Sequence, residues 1–94
     1  RGLRVRLDLF LHQIRLLKSR TLAQGLIEEG RVRIDGRRVA KTSEPVKVGS
    51  TITLPLRGAV RVIRVLSLPT RRGPAPEARA CYEELGVDDG AAPA

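Results

Sequence analysis

Aromatic side chains are scarce in this 94-residue sequence, which contains one Phe, one Tyr and no Trp. It also has a single Cys and a single His, too few for a disulfide framework or a zinc site of ordinary composition. No stretch approaches the roughly 20 apolar residues of a membrane span, and no signal-peptide pattern is visible. We therefore expect one small cytoplasmic domain with no metal, cofactor, membrane or small-molecule substrate. Because no catalytic set is recognisable, we do not expect an enzyme.

Positive charge is abundant and unevenly distributed. Eighteen Lys and Arg face ten Asp and Glu, which gives a formal net charge of +8. Residues 1–72 hold 17 of the cations and five acids, whereas residues 73–94 hold one cation and five acids. Such a surplus on a small domain predicts a polyanionic partner, and the Arg-rich composition suits phosphate. A soluble protein from a genome that favours Arg codons is the alternative.

Two short amphipathic helices are predicted at the start of the sequence. Apolar residues recur at helical spacing over residues 6–17, and a second apolar stripe follows over residues 20–29. Ser19 or Thr21 is expected to cap the start of the second helix, and Gly30 to provide a left-handed C-cap. Helices joined by so short a connection are expected to pack against each other.

The hydrophobic period changes to two after the second helix, which indicates strands. Asp35-Gly36 is a strong signal for a two-residue hairpin turn. Such a turn sets the register, so that Ile34 lies opposite Arg37 and Arg33 lies opposite Arg38.

The remaining sequence predicts a second hairpin and an appended helix. Arg57-Gly58 marks the turn, and the next strand, residues 59–66, is apolar on both faces, which a β-bulge or a partly covered second face would explain. Residues 67–76 are expected to form a Pro-rich connector, residues 77–86 a C-terminal helix, and residues 87–94 a disordered acidic tail. The predicted class is α+β, with two packed N-terminal helices on a small, mostly antiparallel sheet.

The junction of the two helices carries the first candidate binding site. A helix N-terminus presents unpaired N–H groups and partial positive charge, which attract phosphate. Arg20 in the first turn has the wrong sign for the helix dipole, so a ligand explains it more readily than structure does. Lys18 precedes it, and Ser19 and Thr21 add hydroxyl groups, so the junction resembles a phosphate cradle. An ordinary cap with two solvated cations is the alternative.

The first hairpin carries the second candidate site. Five cations lie within 11 residues, namely Arg31, Arg33, Arg37, Arg38 and Lys41. Like charges at opposite positions of a hairpin repel unless a phosphate bridges two guanidinium groups. The alternative is a solvated basic face that protects an exposed sheet from aggregation.

Neither candidate site contains an aromatic side chain on which a nucleobase could stack. Phe10 falls in the apolar stripe of the first helix, and Tyr82 in that of the predicted last helix. Recognition is therefore expected through phosphates and shape, which suits folded RNA better than a uniform duplex, with DNA as an alternative.

Three further residues have structural interpretations. His12 has no partner at ligand spacing and is interpreted as an ordinary helix-surface residue. Cys81 is interpreted as a buried structural thiol. Gly25, inside the second helix, is expected to mark close packing against a neighbouring element.

An ordered run of motifs resembles the S4 RNA-binding domain family. Arg6-Leu7-Asp8 opens the first helix and Lys18-Ser19-Arg20 the second, followed by the segment Leu26–Gly36 and by Val48-Gly49-Ser50-Thr51-Ile52. The resemblance covers about residues 6–66. It implies the alpha-L arrangement of two helices packed on a small sheet, with the helical edge and the adjoining hairpin forming the RNA-contacting surface.

The sequence beyond this domain, from Arg71-Arg72 to Tyr82-Glu83-Glu84, is similar to the tail of a bacterial S4 family, the ribosome-associated heat-shock proteins 15. This resemblance implies a cytoplasmic stress-response protein that binds ribosomal RNA of the large subunit and acts on stalled subunits that still hold peptidyl-tRNA. Two alternatives are an accessory RNA-binding domain of a larger RNA-modifying enzyme or tRNA synthetase, and a protein-interaction module for an acidic partner.

The residues and the resemblance together predict one RNA-binding surface on a protein that is expected to be a monomer. The helical edge comprises Arg6, Lys18, Ser19, Arg20, Thr21 and Gln24. The hairpin edge comprises Arg31, Arg33, Arg37, Arg38 and Lys41. The two edges are expected to converge on a common face that holds nucleotide backbone.

Overall fold

Residues 4–88 are described by the computed structural model, which contains helices and antiparallel strands as the predicted α+β class requires. The helices are α1 (Leu7–Gln13), α2 (Arg20–Glu28) and α3 (Ala75–Arg79). The strands are β1 (Val5–Arg6), β2 (Arg33–Ile34), β3 (Arg37–Arg38), β4 (Pro45–Val46), β5 (Thr51–Leu56), β6 (Ala59–Val65) and β7 (Tyr82–Asp88). None of these helices has the length and apolar character that crossing a bilayer requires.

The two N-terminal helices form where the sequence predicts them, but the first is shorter. Helix α1 ends at Gln13, and soon afterwards Arg15 adopts a left-handed backbone conformation with a φ of 65°, through which a right-handed helix does not continue. Helix α2 begins after Ser19, whose Oγ accepts a hydrogen bond from the Leu22 amide at 3.1 Å. The first of the two predicted N-caps is therefore confirmed, and so is the left-handed C-cap at Gly30, with a φ of 76°.

The main sheet has five strands in the order β3-β2-β5-β6-β7, and every neighbouring pair is antiparallel. The Asp35-Gly36 turn has φ values of 53° and 81°, the positive values that a tight two-residue turn requires. Arg33 lies opposite Arg38 and Ile34 opposite Arg37, which confirms the predicted register. The second predicted hairpin, between β5 and β6, is also present.

One hydrophobic core joins the helices to one face of the sheet. Phe10 of α1, Ile27 of α2 and Ile52 of β5 are fully buried in it. Side chains alternate between the two faces of a strand, and Thr51 and Thr53 of β5 are only half-buried. The helices therefore lie on one face, and the second face is more open to solvent.

The predicted C-terminal helix is present, but it begins earlier and is much shorter than the predicted residues 77–86. Helix α3 covers only Ala75–Arg79, and the chain from Tyr82 onward forms β7, which pairs with β6. The apolar residues of this segment fit a helical period. The edge of β6, however, presents unpaired backbone groups, and a strand satisfies them where a helix could not.

Strand β7 also changes the domain boundaries. The C-terminal segment joins the same sheet as the predicted domain over residues 6–66, so it is not a separate appendage beyond the connector. The predicted tail over residues 87–94 begins inside β7, and residues 89–94 lie outside the described residues. The register between β6 and β7 shifts between Val62 and Ile63, and the extra residue is Leu85 of β7, so the β-bulge suggested for residues 59–66 lies in the neighbouring strand.

A small second sheet, formed by β1 and β4, was not predicted. Arg6 lies opposite Pro45 in this antiparallel pair. Strands of two residues leave no alternation for a sequence pattern to detect. The pairing brings the loop before β4 to the start of α1, where the Leu7 amide donates a hydrogen bond to the Glu44 carbonyl at 2.8 Å.

Gly25 does not mark close packing, contrary to the expectation from the sequence. A β-carbon at this position would meet no heavy atom within 4 Å beyond its own helix. Leu22, one turn earlier, is 53% exposed, so this face of α2 points to solvent.

We expect Gly25→Ala to raise the free energy of unfolding by about 0.5–1 kcal/mol, because alanine restricts the unfolded chain more than glycine and meets no obstacle here. Urea denaturation of both proteins measures the difference. A loss of stability would mean that Gly25 packs closely after all.

Arg61 and Glu84 form an ion pair across β6 and β7, in which the guanidinium donates through both Nε and Nη2. A double-mutant cycle with Arg61→Gln and Glu84→Gln should give a coupling free energy of about 0.5–1 kcal/mol that decreases with added salt. A coupling of zero would show that this ion pair does not stabilise the contact between β6 and β7.

Candidate nucleic-acid interface

Asp8 is the centre of a polar network between the first two helices. Its side chain is fully buried, which is unusual for a carboxylate without partners. Arg6 donates from Nε to Oδ1 at 2.8 Å and from Nη2 to Oδ2 at 3.2 Å. From α2, Arg20 Nε and Gln24 Nε2 donate to Oδ2 at 3.1 and 2.9 Å, and the Leu9 amide donates to Oδ1 at 2.7 Å. One carboxylate thus links β1, α1 and α2.

The charge of Asp8 follows from this network. Burial alone would raise the pKa of the carboxyl group, because it penalises the charged form. The hydrogen bonds from Gln24, Arg6, Arg20 and the Leu9 amide outweigh burial and lower the pKa of Asp8 below its ordinary value of 3.8. Asp8 is therefore ionised at neutral pH.

Asp8 orients Arg6 and Arg20 without hiding them. Their side chains are 41% and 42% exposed, whereas that of Asp8 is 0% exposed. The bond from Arg20 uses Nε and leaves its two terminal nitrogens for another acceptor. The network also corrects the sequence interpretation, because the buried carboxylate gives Arg20 a structural reason to occupy the first turn of α2.

The other members of the predicted helical edge differ in their roles. Lys18 and Thr21 are exposed at the start of α2, as a binding surface requires. The Ser19 hydroxyl accepts the capping hydrogen bond, so it stabilises the helix. Gln24 is half-buried and donates to Asp8. The structure thus brings Arg6, Arg20 and Gln24 of this edge together at Asp8, and Lys18 is a further exposed cation two residues before Arg20.

The hairpin cations do not all lie on one face. Arg37 is on the same side of the hairpin as the buried Ile34, and its Nη2 lies 3.5 Å from Glu44 Oε2. The backbone carbonyl of Glu44 contacts the first residue of α1, so Arg37 adjoins the helical edge. Arg33 and Arg38 project from the opposite side of the hairpin. The expected common face therefore includes Arg37, while Arg33 and Arg38 form a neighbouring basic face.

The remaining hairpin cations are exposed. Arg31 pairs with Glu29 at 3.0 Å, and both side chains are about 60% exposed, so this pair is readily exchanged for a phosphate. Lys41 is also exposed. The side chain of Arg38 passes over Gly30, where a β-carbon would lie 3.3 Å from Arg38 Cδ. The second basic face thus reaches the end of α2.

Sequence reasoning missed two cations beside the hairpin. Arg4 and Lys47 line a surface hollow of about 260 Å³ together with Arg37, Asp35 and Glu44. Arg4 precedes β1 and Lys47 follows β4, the two strands that the sequence pattern does not show. Without that pairing, nothing in the sequence connects these residues to the hairpin.

The chemistry available at this surface is electrostatic binding. Within residues 4–88, no group of three or more His, Cys, Asp or Glu side chains is placed to hold a metal ion. Cys81 is buried, as predicted, and its Sγ lies 3.4 Å from the Glu77 carbonyl, which accepts its hydrogen bond. Guanidinium and ammonium groups around one buried carboxylate can hold phosphates.

Residues 5–52 match the family model of the S4 domain, and this range contains the Asp8 network and the first hairpin. The chain belongs to the S4 domain family. The resemblance found in the sequence is thereby confirmed.

Several curated relatives share the S4 domain and extend the similarity beyond it. The chain is 40% identical to heat shock protein 15 of Escherichia coli K12, over 85% of this chain and 59% of that protein. It is 38% identical to the Haemophilus influenzae heat shock protein 15 homolog, over 85% of this chain and 60% of the relative. The RQC P-site tRNA stabilizing factor of Bacillus subtilis is 46% identical over 53% of this chain and 57% of that protein. The chain spans about 60% of the length of the curated heat shock relatives.

A solved S4-domain structure also matches. The structure of Vibrio cholerae heat shock protein 15, described as trimeric, aligns with a TM-score of 0.82 and 38% identity. The alignment covers 87% of this chain and 82% of that one. This match confirms the α+β fold and the similarity to heat shock protein 15.

We expect Asp8→Asn to lower the free energy of unfolding at pH 7 by about 2–4 kcal/mol, because Arg6 and Arg20 lose the charge that compensates them. The folded-state pKa of Asp8 lies below its unfolded value. Its stabilising contribution is therefore complete above the unfolded pKa and is lost as the pH falls through the folded one. Urea denaturation at pH 7 and at decreasing pH below 4 measures the free energy of unfolding of the wild type and of Asp8→Asn. The two values should converge as the pH falls. A difference that stays constant would contradict this role.

Proposed function

We propose that this S4-domain protein binds folded RNA, specifically ribosomal RNA of the large subunit, through contacts to phosphates. The observation that carries the proposal is the pair Arg6 and Arg20, which Asp8 holds in place while their outer ends stay exposed. Lys18, two residues before Arg20, is exposed as well. A guanidinium whose position is already fixed loses less conformational freedom when it binds a phosphate.

The site residues in this proposal are those predicted from the sequence. The accessible cations Arg6, Lys18, Arg20 and Arg37 would contact phosphate at the helical edge, with Thr21 as a hydroxyl donor. Ser19 and Gln24 would support that edge through the cap and through Asp8. Four more cations would extend the surface along the hairpin, namely Arg31, Arg33, Arg38 and Lys41.

The names of the relatives support a ribosomal target. One group is named heat shock protein 15, and another is named RQC P-site tRNA stabilizing factor. We infer that this chain acts in the cytoplasm on stalled large subunits during stress, and that its role is binding without a catalytic step. The reported relatives are not named as RNA-modifying enzymes or tRNA synthetases, which disfavours an accessory role in such an enzyme. The expected monomeric state stays a prediction, because the Vibrio cholerae relative is described as trimeric.

The affinity for purified large-subunit ribosomal RNA should fall steeply with salt, with a log–log slope of roughly −4 to −7 if about six to eight phosphates are neutralised. Lys18→Ala should weaken binding several-fold and make the slope shallower by about one. Filter binding at several salt concentrations measures both quantities. Arg20→Ala should weaken binding further but also lower stability, since Arg20 closes the Asp8 network.

Arg79→Ala is the matched control, since Arg79 is an exposed cation at the end of α3, outside the proposed surface. It should leave affinity and slope close to wild type. Equal losses from Lys18→Ala and Arg79→Ala would show that only net charge matters and would overturn the proposed site.

A further inference from the structure

A separate group of cations surrounds the C-terminal end of α1. Arg15 follows the helix, and Arg72 reaches it from the Pro-rich connector. Arg15 Nε donates to the Gly73 carbonyl at 2.7 Å, and Arg72 Nε donates to the His12 carbonyl at 3.1 Å. These two hydrogen bonds hold the connector against the end of α1. Each uses only Nε, so the terminal nitrogens of both guanidinium groups remain for another acceptor.

Within residues 4–88, no carboxylate forms an ion pair with either guanidinium group. None of the ion pairs among residues 4–88 includes Arg15 or Arg72, and both residues are exposed. Arg15 also adopts its left-handed conformation at a cost of about 1 kcal/mol that glycine would avoid. Two cations are thus fixed near the end of α1 by bonds to backbone carbonyls, and their free terminal nitrogens can bind an anion.

His12 lies half-buried within this group. Burial and the positive charges of Arg72, Arg20 and Arg15 lower the pKa of His12 below its ordinary value of 6.5. Asp8 lies one turn earlier on α1, but its oxygens already accept hydrogen bonds from Arg6, Arg20 and Gln24. The groups that act on His12 are therefore cationic, and an anion placed among them would stabilise its protonated form.

We propose that His12, Arg15 and Arg72 form an additional phosphate-binding site, joined through Arg20 to the surface organised by Asp8. The identification of the ligand as a backbone phosphate of the same RNA rests on the proposed function. The connector would then contribute directly to the RNA interface, in addition to linking β6 to α3.

The site predicts a specific dependence on pH. His12 is mostly neutral at pH 7 in the free protein, and a bound phosphate raises its pKa, so binding takes up a proton. The affinity should therefore rise by about threefold to tenfold as the pH falls from 7.5 to 5.5. Replacing the two arginines should remove most of this dependence.

The test compares the double variant Arg15→Ala/Arg72→Ala with the control Arg57→Ala. Arg57 also has a positive φ, 54°, but lies in the β5–β6 turn, so the control matches the charge and the backbone strain of Arg15. On large-subunit ribosomal RNA, the double variant should bind several-fold more weakly, with a salt slope shallower by about one. Arg72→Ala alone, which removes an exposed hydrogen bond, repeats the test if Arg15→Ala lowers stability.

A second arm uses inorganic phosphate and needs no RNA. NMR titration of the His12 ring should show its pKa rising on addition of phosphate in the wild type and in Arg57→Ala, but not in the double variant. This response would support the site even if ribosomal RNA fails to bind, in which case only the proposed function is overturned. If RNA binds and neither the salt slope, the pH dependence nor the His12 titration changes in the double variant, the site is overturned and the proposed function stands.

Discussion

A buried carboxylate that needs several donors constrains this domain more than any other single group. Helices of seven and nine residues are too short to be stable alone, so their relative position depends on tertiary contacts. Asp8 supplies such a contact, because leaving it unpaired in the core would cost several kcal/mol. The donors that satisfy it are Arg6, Arg20 and Gln24, and two of these have charged ends that reach solvent. Stability and placement of the binding groups are therefore coupled.

Local signals in the sequence were sufficient for the first two helices and both main hairpins. Asp35-Gly36 fixes a register, and Ser19 and Gly30 mark the ends of α2, because turns and caps depend on a few adjacent residues. The prediction for the C-terminal segment was wrong because the structure of this segment depends on tertiary contacts and not on adjacent residues. Its apolar spacing fits a helix, and only the unpaired edge of β6, set by the tertiary fold, favours a strand. The β1–β4 pair was not predicted, because strands of two residues are too short to show an alternating hydrophobic pattern.

The candidate site was predictable in composition but not in arrangement. Charge counting located the cations of the helix junction and the hairpin, and the family resemblance linked them. Neither the charge counting nor the resemblance could show that Arg20 donates a hydrogen bond to Asp8. Neither could show that Arg37 and Arg38 project from opposite sides of the hairpin. The sequence did not predict four further cations near the site, because they are placed there by contacts between residues that are distant in the sequence. These cations are Arg4, Lys47, Arg15 and Arg72.

The two edges of the five-stranded sheet differ in a way that affects association between copies. Strand β3 is one edge, and its two residues, Arg37 and Arg38, offer few amide groups to a neighbour and carry like charges. Strand β7 is the other edge, and it exposes Glu83 and Glu84. Two identical edges therefore repel each other when molecules meet. Pairing between copies through the same edge strand is therefore disfavoured, because it would bring like charges together along the new ladder.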